Sequence, residues 1–396
     1  MRSSSPAGSV NTPQGLIGFF RYHGVWAPGV RLFRRIGFRA KAALISAAFL
    51  VPLAVLAWNH AQSAREQIGF TAKERLGVEA IRSFVPVLTG LTTVRNAVRA
   101  TLGGHDPGDD HVRARAEVER SLNAFGAFLQ RSGDPLGLRP SHDRLAAAWS
   151  AALAVAGTAD GQGRTAFGPV VAAAGNLLRE IGDNSNLVLD PDIDSFYLMN
   201  ALVLTMPRVV EEVGQLWGWS TFAVAKGALG PDDARRYAVW ISGARRGSAD
   251  VLGHLERTFA ATPRLKAAID LASIQAIADY ADSVERPDAG IGGKPASAAD
   301  AYAMGRDALA RLSTTYAAAL PVLDGLLDAR QMRLERARDV VFAVTVACLL
   351  LAAYLFQSFY LVMNGGLEEV RRHLRAMTDS DLTTTPRPWG RDETAS

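Results

Sequence analysis

The chain has 396 residues, room for two or three ordinary domains, and its apolar fraction of 48% is near the globular average and too low for a polytopic transporter. A net charge of +4 gives no reason to expect nucleic acid as a partner. The single cysteine, Cys348, excludes a disulfide or a Cys-ligated metal within one chain, which is compatible with a bacterial periplasmic domain that needs no cross-links.

Charge is unevenly spread. Residues 1–41 carry seven basic side chains (Arg2, Arg21, Arg31, Arg34, Arg35, Arg39 and Lys41) and no Asp or Glu. Within them, residues 15–33 mix apolar and basic positions, the composition of a segment lying on the inner membrane surface or of a plain basic tail. Residues 42–58 form an apolar run of about 17 residues containing Pro52, which neighbouring helices can accommodate in a membrane span. Lys41 can snorkel at one end and Trp58 suits the interfacial belt at the other. The alternative is a cleaved signal peptide with small residues at 61–64, but the basic region is too long and the apolar core exceeds the usual 7–15 residues. An uncleaved first transmembrane helix, residues 42–60, is expected.

About 280 residues separate this run from a second one, and they read as almost wholly helical, with frequent Ala and Leu and no alternating β-branched runs. The first helix should continue from the span to Leu102, because Ile81, Phe84, Leu88, Leu91, Val94, Val98 and Leu102 recur at three- and four-residue steps. The segment GGHDPGDD at 103–110 stops it. Further helices are predicted at 112–130, 145–155, 167–181, 193–228, 231–261 and 263–284, with breaks at 132–140, 157–163 and 286–295, all rich in Gly, Pro and Asp. In the last helix Leu309, Leu312, Tyr316, Leu320, Leu323, Leu327, Gln331 and Leu334 step by three or four and lead into the second apolar run without a stop signal. Pro321 can kink that helix without ending it. The fold expected for residues 61–339 is all-α: one long antiparallel bundle, or two four-helix modules stacked along its length with the first and last helices common to both.

Near the middle, residues 183–199 read DNSNLVLDPDIDSFYLM. Asp190, Asp192 and Asp194 match the opening of a calcium loop, but Ser195 stands where its turn glycine belongs and Ala201 where its bidentate Glu would be. Capping fits better. Asp190 can cap a helix whose first residue is Pro191, Asp192 and Asp194 complement its positive end, and Phe196 and Tyr197 begin its packed face.

This segment, with the Leu-x-Met-Pro stretch and EEVGQLWGW that follow, resembles the helical sensor domain of bacterial methyl-accepting chemotaxis proteins, which also precedes some sensor histidine kinases and diguanylate cyclases. The resemblance spans residues 70–230 well and the rest of the domain loosely. It implies an all-helical periplasmic sensor working as a parallel homodimer, and it leaves the output module open.

Residues 340–363 form the second apolar run, about 24 residues without a charge, which at 1.5 Å per residue exceeds the roughly 30 Å hydrocarbon core. By the positive-inside tendency the basic N-terminus is cytoplasmic, the helical domain outside and the C-terminus cytoplasmic again, in the inner membrane of a bacterium. In residues 364–396, Leu367, Val370, Leu374 and Met377 step 3-4-3, the seam of a parallel coiled coil. They resemble the first helix of a HAMP signal-relay domain. Ser380-Asp381-Leu382 stands where that family has Gly-Asp-Leu, and Asp392-Glu393 where its second helix begins. Gly366 replaces the usual proline, and the sequence ends at Ser396 before the second helix is made.

No P-loop, HExxH or G-x-S-x-G occurs, so neither an enzyme nor a cofactor is expected. His105 and His111 beside Asp106, Asp109 and Asp110 have metal-binding side chains, but a solvated capping loop explains them better and no metal is expected. Trp217 and Trp219 read as packing residues. A small anionic ligand would be held by Arg95 and Arg99, four apart on one side of the first helix, with Arg82 as a third candidate, because guanidinium forks suit carboxylates. The expected partners are membrane lipid, a second copy of the chain, a small molecule or its binding protein, and cytoplasmic signalling partners. The chain then reads as a chemoreceptor-type transducer, with the input half of a kinase or cyclase, or a non-signalling scaffold, as alternatives.

Overall fold

A computed structural model describes residues 24–156, 166–227, 229–285 and 297–379. Among them every regular element is a helix and no strand occurs. The chain divides into two units, Glu66–Glu335 and the paired segments Met1–Arg65 with Arg336–Ser396. We label the helices α1 (Ala27–Arg35), α2 (Phe38–Gly103), α3 (Asp110–Ser132), α4 (Arg139–Val155), α5 (Gly168–Asn184), α6 (Ile193–Met199), α7 (Met206–Lys226), α8 (Pro231–Ala261), α9 (Ala272–Ser283) and α10 (Ala298–Thr378).

In the unit Glu66–Glu335 the predicted stripe on α2 is the core face: Ile81, Phe84, Leu91, Val94 and Val98 are buried, with Leu88 and Leu102 half-buried. On α10, Leu309 to Leu327 of the predicted stripe are buried, and the helix runs through Pro321. Gly133 ends α3 at φ 73°, and the amide of Asp134 donates to the Leu129 carbonyl at 3.0 Å. The carboxylate of Asp134 then accepts the amides of Leu138 and Arg139 at 2.8 and 3.0 Å, which starts α4 six residues before the predicted helix.

Two predicted helices are interrupted. The one expected over 193–228 contains a π-helical turn, Asn200–Thr205, because Pro207 has no amide to continue the ladder; the Tyr316 hydroxyl donates to the carbonyl of Leu202 there at 2.9 Å. The one expected over 263–284 splits into a 3-10 turn, Pro263–Ala267, and α9. Asp270 sits at the break and accepts the Ala272 amide at 3.0 Å and the Ser273 hydroxyl at 2.9 Å. The breaks predicted at 157–163 and 286–295 lie outside the described residues.

Helix α3 is antiparallel to α2: Val118 meets Gly90, and the Phe125 ring lies 5.5 Å from that of Phe84. Helix α7 is parallel to α2, with Gly214 beside Thr92 and Phe222 beside Gly103. Gly90 and Thr92 belong to one turn of α2, so α3 and α7 pack against the same stretch of that helix. α10 closes the bundle through Gly305, where a Cβ would come within 2.2 Å of the Trp217 ring.

In the other unit, the apolar stretches of α2 and α10 lie exposed, including Phe49, Leu56, Phe342, Leu350 and Tyr354. These two helices are long and apolar enough to cross a membrane. Their ends meet where the Phe38 ring stacks on Tyr360 at 6.1 Å. The seam residues Leu367, Val370, Leu374 and Met377 lie on the last turns of α10 and are all exposed on the single chain. Ser380, Asp381, Leu382, Asp392 and Glu393 fall outside the described residues.

Candidate functional site

The polar side chains Arg95, Asn96 and Arg99 interrupt the apolar face of α2 at consecutive turns and point at α7. Helix α7 receives them with two glycines four residues apart. A Cβ on Gly214 would lie 2.6 Å from Nη2 of Arg95, and one on Gly218 would lie 2.4 Å from Oδ1 of Asn96 and 2.8 Å from Cδ of Arg99. The missing side chains therefore let long polar groups lie flat inside a helix–helix interface. Arg95 is only 2% exposed, Asn96 is fully buried and Arg99 is buried as well.

Their partners come from the same face of α7. Nη1 of Arg95 donates to both oxygens of Glu211 at 2.8 Å. Nη1 of Arg99 donates to Oε1 of Gln215 at 2.7 Å, and Nε2 of Gln215 donates to Glu211 at 2.6 Å. The Arg99 guanidinium lies 5.1 Å over the Trp219 ring, a cation–π contact. Glu211 thus receives the Arg95 guanidinium directly, and Gln215 links Arg99 to the same carboxylate. Nε and Nη2 of Arg95 and both polar atoms of the Asn96 amide are buried without a hydrogen-bond partner. Buried donors left unpaired are costly, of order 1–3 kcal/mol each. A small oxyanion or carboxylate is the chemical complement of such a set.

The two arginines proposed from their spacing are therefore together and buried. Arg82 is not with them: it is exposed and lines a separate groove of about 340 Å³ with Arg75, Glu79, Asp324 and Gln331. Arg75 there pairs with Asp324 at 2.9 Å and Asp328 at 2.6 Å. Asn96, Glu211 and Gln215 were not anticipated; the signal for them was Gly214 and Gly218, a small-residue pair at helical spacing within EEVGQLWGW.

The central aspartates make a second polar centre. Helix α6 begins at Ile193, two residues after Pro191, and its N-cap Asp192 makes no side-chain capping bond. Asp190 is buried instead. Its Oδ1 accepts the Asp192 amide at 3.0 Å, the Ser195 hydroxyl at 2.9 Å and Nη2 of Arg330. Arg330, 5% exposed on α10, also donates from Nη1 to Oε2 of Glu74 on α2 and from Nε to Oδ2 of Asp192, both at 2.9 Å. Arg333 reaches Asp192 from the solvent side at 3.0 Å. Asp190 is thus the anchor of a charged junction joining α2, the turn before α6, and α10, rather than a simple cap.

Asp194 faces α8, where its Oδ2 accepts the Thr262 hydroxyl at 2.7 Å. The Tyr197 ring is covered by His254, stacked at 6.0 Å, and by the Arg257 guanidinium at 5.2 Å. Phe196 is exposed, so the packed face of α6 is carried by Ser195, Leu198 and Met199.

No family model matches the chain, and no curated protein does. Among solved structures it is similar to the NasR transcription antiterminator, at 14% identity and a TM-score of 0.48 over 83% of this chain and 88% of that one.

Proposed function

We propose that the protein is a two-pass membrane sensor of the chemoreceptor type, whose helical domain faces away from the cytoplasm and binds a small anion between α2 and α7. The observation that carries this reading is the set of buried, unpartnered donors on Arg95 and Asn96 beside a single carboxylate, Glu211. An anion in that interface binds only when the two helices adopt the packing that brings those donors together, and such differential affinity is what shifts a two-state equilibrium. Because α2 and α10 each contribute residues to both units, a change in their packing reaches the segments that carry the apolar runs and the coiled-coil seam. Exposure of Leu367, Val370, Leu374 and Met377 on one chain supports a parallel homodimer in which these residues pair.

Thermal unfolding of the full chain in detergent micelles, with and without a panel of small carboxylates, tests the binding step. A carboxylate that binds is expected to raise stability by about 2.7 kcal/mol at a hundredfold excess over its Kd. Arg95→Met should remove that gain. A stabilisation equal in the variant, or none from any small anion, counts against the site.

A further inference from the structure

The charged junction around Arg330 holds more negative charge than it can balance. Glu74 on α2 and Asp190 in the turn before α6 both have fully buried side chains. They engage the two terminal nitrogens of the same guanidinium, Glu74 through Oε2 and Asp190 through Oδ1. That leaves Oε1 of Glu74 and Oδ2 of Asp190, each buried and each without a hydrogen-bond partner. Asp192 adds a third carboxylate on Nε of Arg330, and Arg333 touches only Asp192, from the exposed side. Arg75, next to Glu74 on α2, is engaged by Asp324 and Asp328. The groups facing Glu74 are therefore Arg330 from α10 and Asp190 and Asp192 from the turn, with Arg333 behind them.

Two ionised carboxylates on one guanidinium, with two orphaned oxygens in the buried interior, are unfavourable. A proton relieves this. It cancels the surplus charge, and it removes the cost of keeping a second ionised carboxylate on the same guanidinium. We propose that Glu74 and Asp190 share a single proton, which makes this junction a proton-binding site through which acidity tightens the contact of α2, the Asp190 turn and α10. This is an input separate from the anion site, and it stands whether or not that site is occupied.

Burial first, and the neighbouring Asp190 second, push the Glu74 carboxyl from 4.5 up to about 7, against the opposing pull of Arg330. Burial likewise raises Asp190. Between about 4.5 and about 7 the folded protein then holds a proton that the unfolded chain has released. The junction's contribution to stability is complete below that window and is lost as pH rises through it.

The test uses the full chain in detergent micelles, as wild type and as Glu74→Gln, whose amide stands for the neutral acid. Thermal midpoints are compared from about pH 5 to about pH 8, the span that brackets the shift. The wild type is expected to lose stability relative to Glu74→Gln as pH rises, the two converging at the acid end. Infrared spectroscopy of the wild type should show a protonated carboxyl carbonyl band that disappears with a midpoint near 7 and is missing from Glu74→Gln. Parallel stability profiles would overturn the proposal. If the variant does not fold, absence of a protonated carboxyl band in the wild type at about pH 5.5, where ordinary carboxylates are ionised, overturns it equally.

Discussion

Replacing Arg330 with Met is expected to destabilise the helical domain by about 3–5 kcal/mol, the cost of leaving buried charge without its partner. Methionine keeps the stem of the side chain and packs where the arginine stem lies, so the loss is electrostatic rather than a cavity effect. Glu74 and Asp190 would both face the vacated position, and Asp192 would keep only Arg333. The deficit should shrink on acidification, because protonating Glu74 and Asp190 removes the stranded charge. Adding Glu74→Gln to Arg330→Met should recover part of the loss, since one of the stranded carboxylates is then gone. Denaturant unfolding of the full chain measures all three. A loss below about 1 kcal/mol, the range of a solvent-screened surface pair, would mean that the junction is open to water.

Glu211→Ala should have the second largest effect. Arg95 would remain buried with no carboxylate, while Gln215 would lose the acceptor of its Nε2. Glu211 is itself partly solvated, with its side chain 32% exposed, so a cost of about 2–3 kcal/mol is expected rather than the full penalty of a buried pair. The variant should also become anion-dependent: a small carboxylate entering beside Arg95 would replace the missing charge and restore a large part of the stability. Melting curves of Glu211→Ala at rising carboxylate concentration, at constant ionic strength, measure this. Destabilisation without any recovery would leave Arg95 as a packing residue only.

Helix positions were legible in the sequence because an apolar stripe at three- and four-residue steps has a direct physical cause, burial of one helix face. That reasoning located α2 from Ile81 to Leu102 and the core part of α10 from Leu309 to Leu327. It failed where a polar side chain decides the backbone. Asp134 starts α4 early and Asp270 splits the segment before α9, since a carboxylate accepting backbone amides competes with the helix ladder.

The polar centres were half legible. Arg95 and Arg99 stood out by their spacing, but spacing does not tell a solvated arginine from a buried one; Gly214 and Gly218, more than a hundred residues away, decide it. Arg330 and Glu74 were missed although both lie on extensions of the stripes. Arg330 is three residues beyond Leu327, and Glu74 is four before Val78 and seven before Ile81. A charged residue at a core position of an apolar pattern marks a partner elsewhere in the chain. Asp190 was expected to cap a helix at Pro191, yet its buried carboxylate gains more from Arg330 and Ser195 than from helix amides.

On the proposed reading, two membrane crossings hold the helical domain on one side of the membrane and the seam on the other. Membrane-impermeant thiol labelling of intact cells decides this, with single cysteines introduced into a Cys348→Ser background. Glu119→Cys on α3 and Arg371→Cys near the end of α10 both replace exposed residues. We expect Glu119→Cys to label in intact cells and Arg371→Cys to label only after the membrane is permeabilised. Labelling of Arg371→Cys in intact cells, or protection of Glu119→Cys there, would overturn this topology.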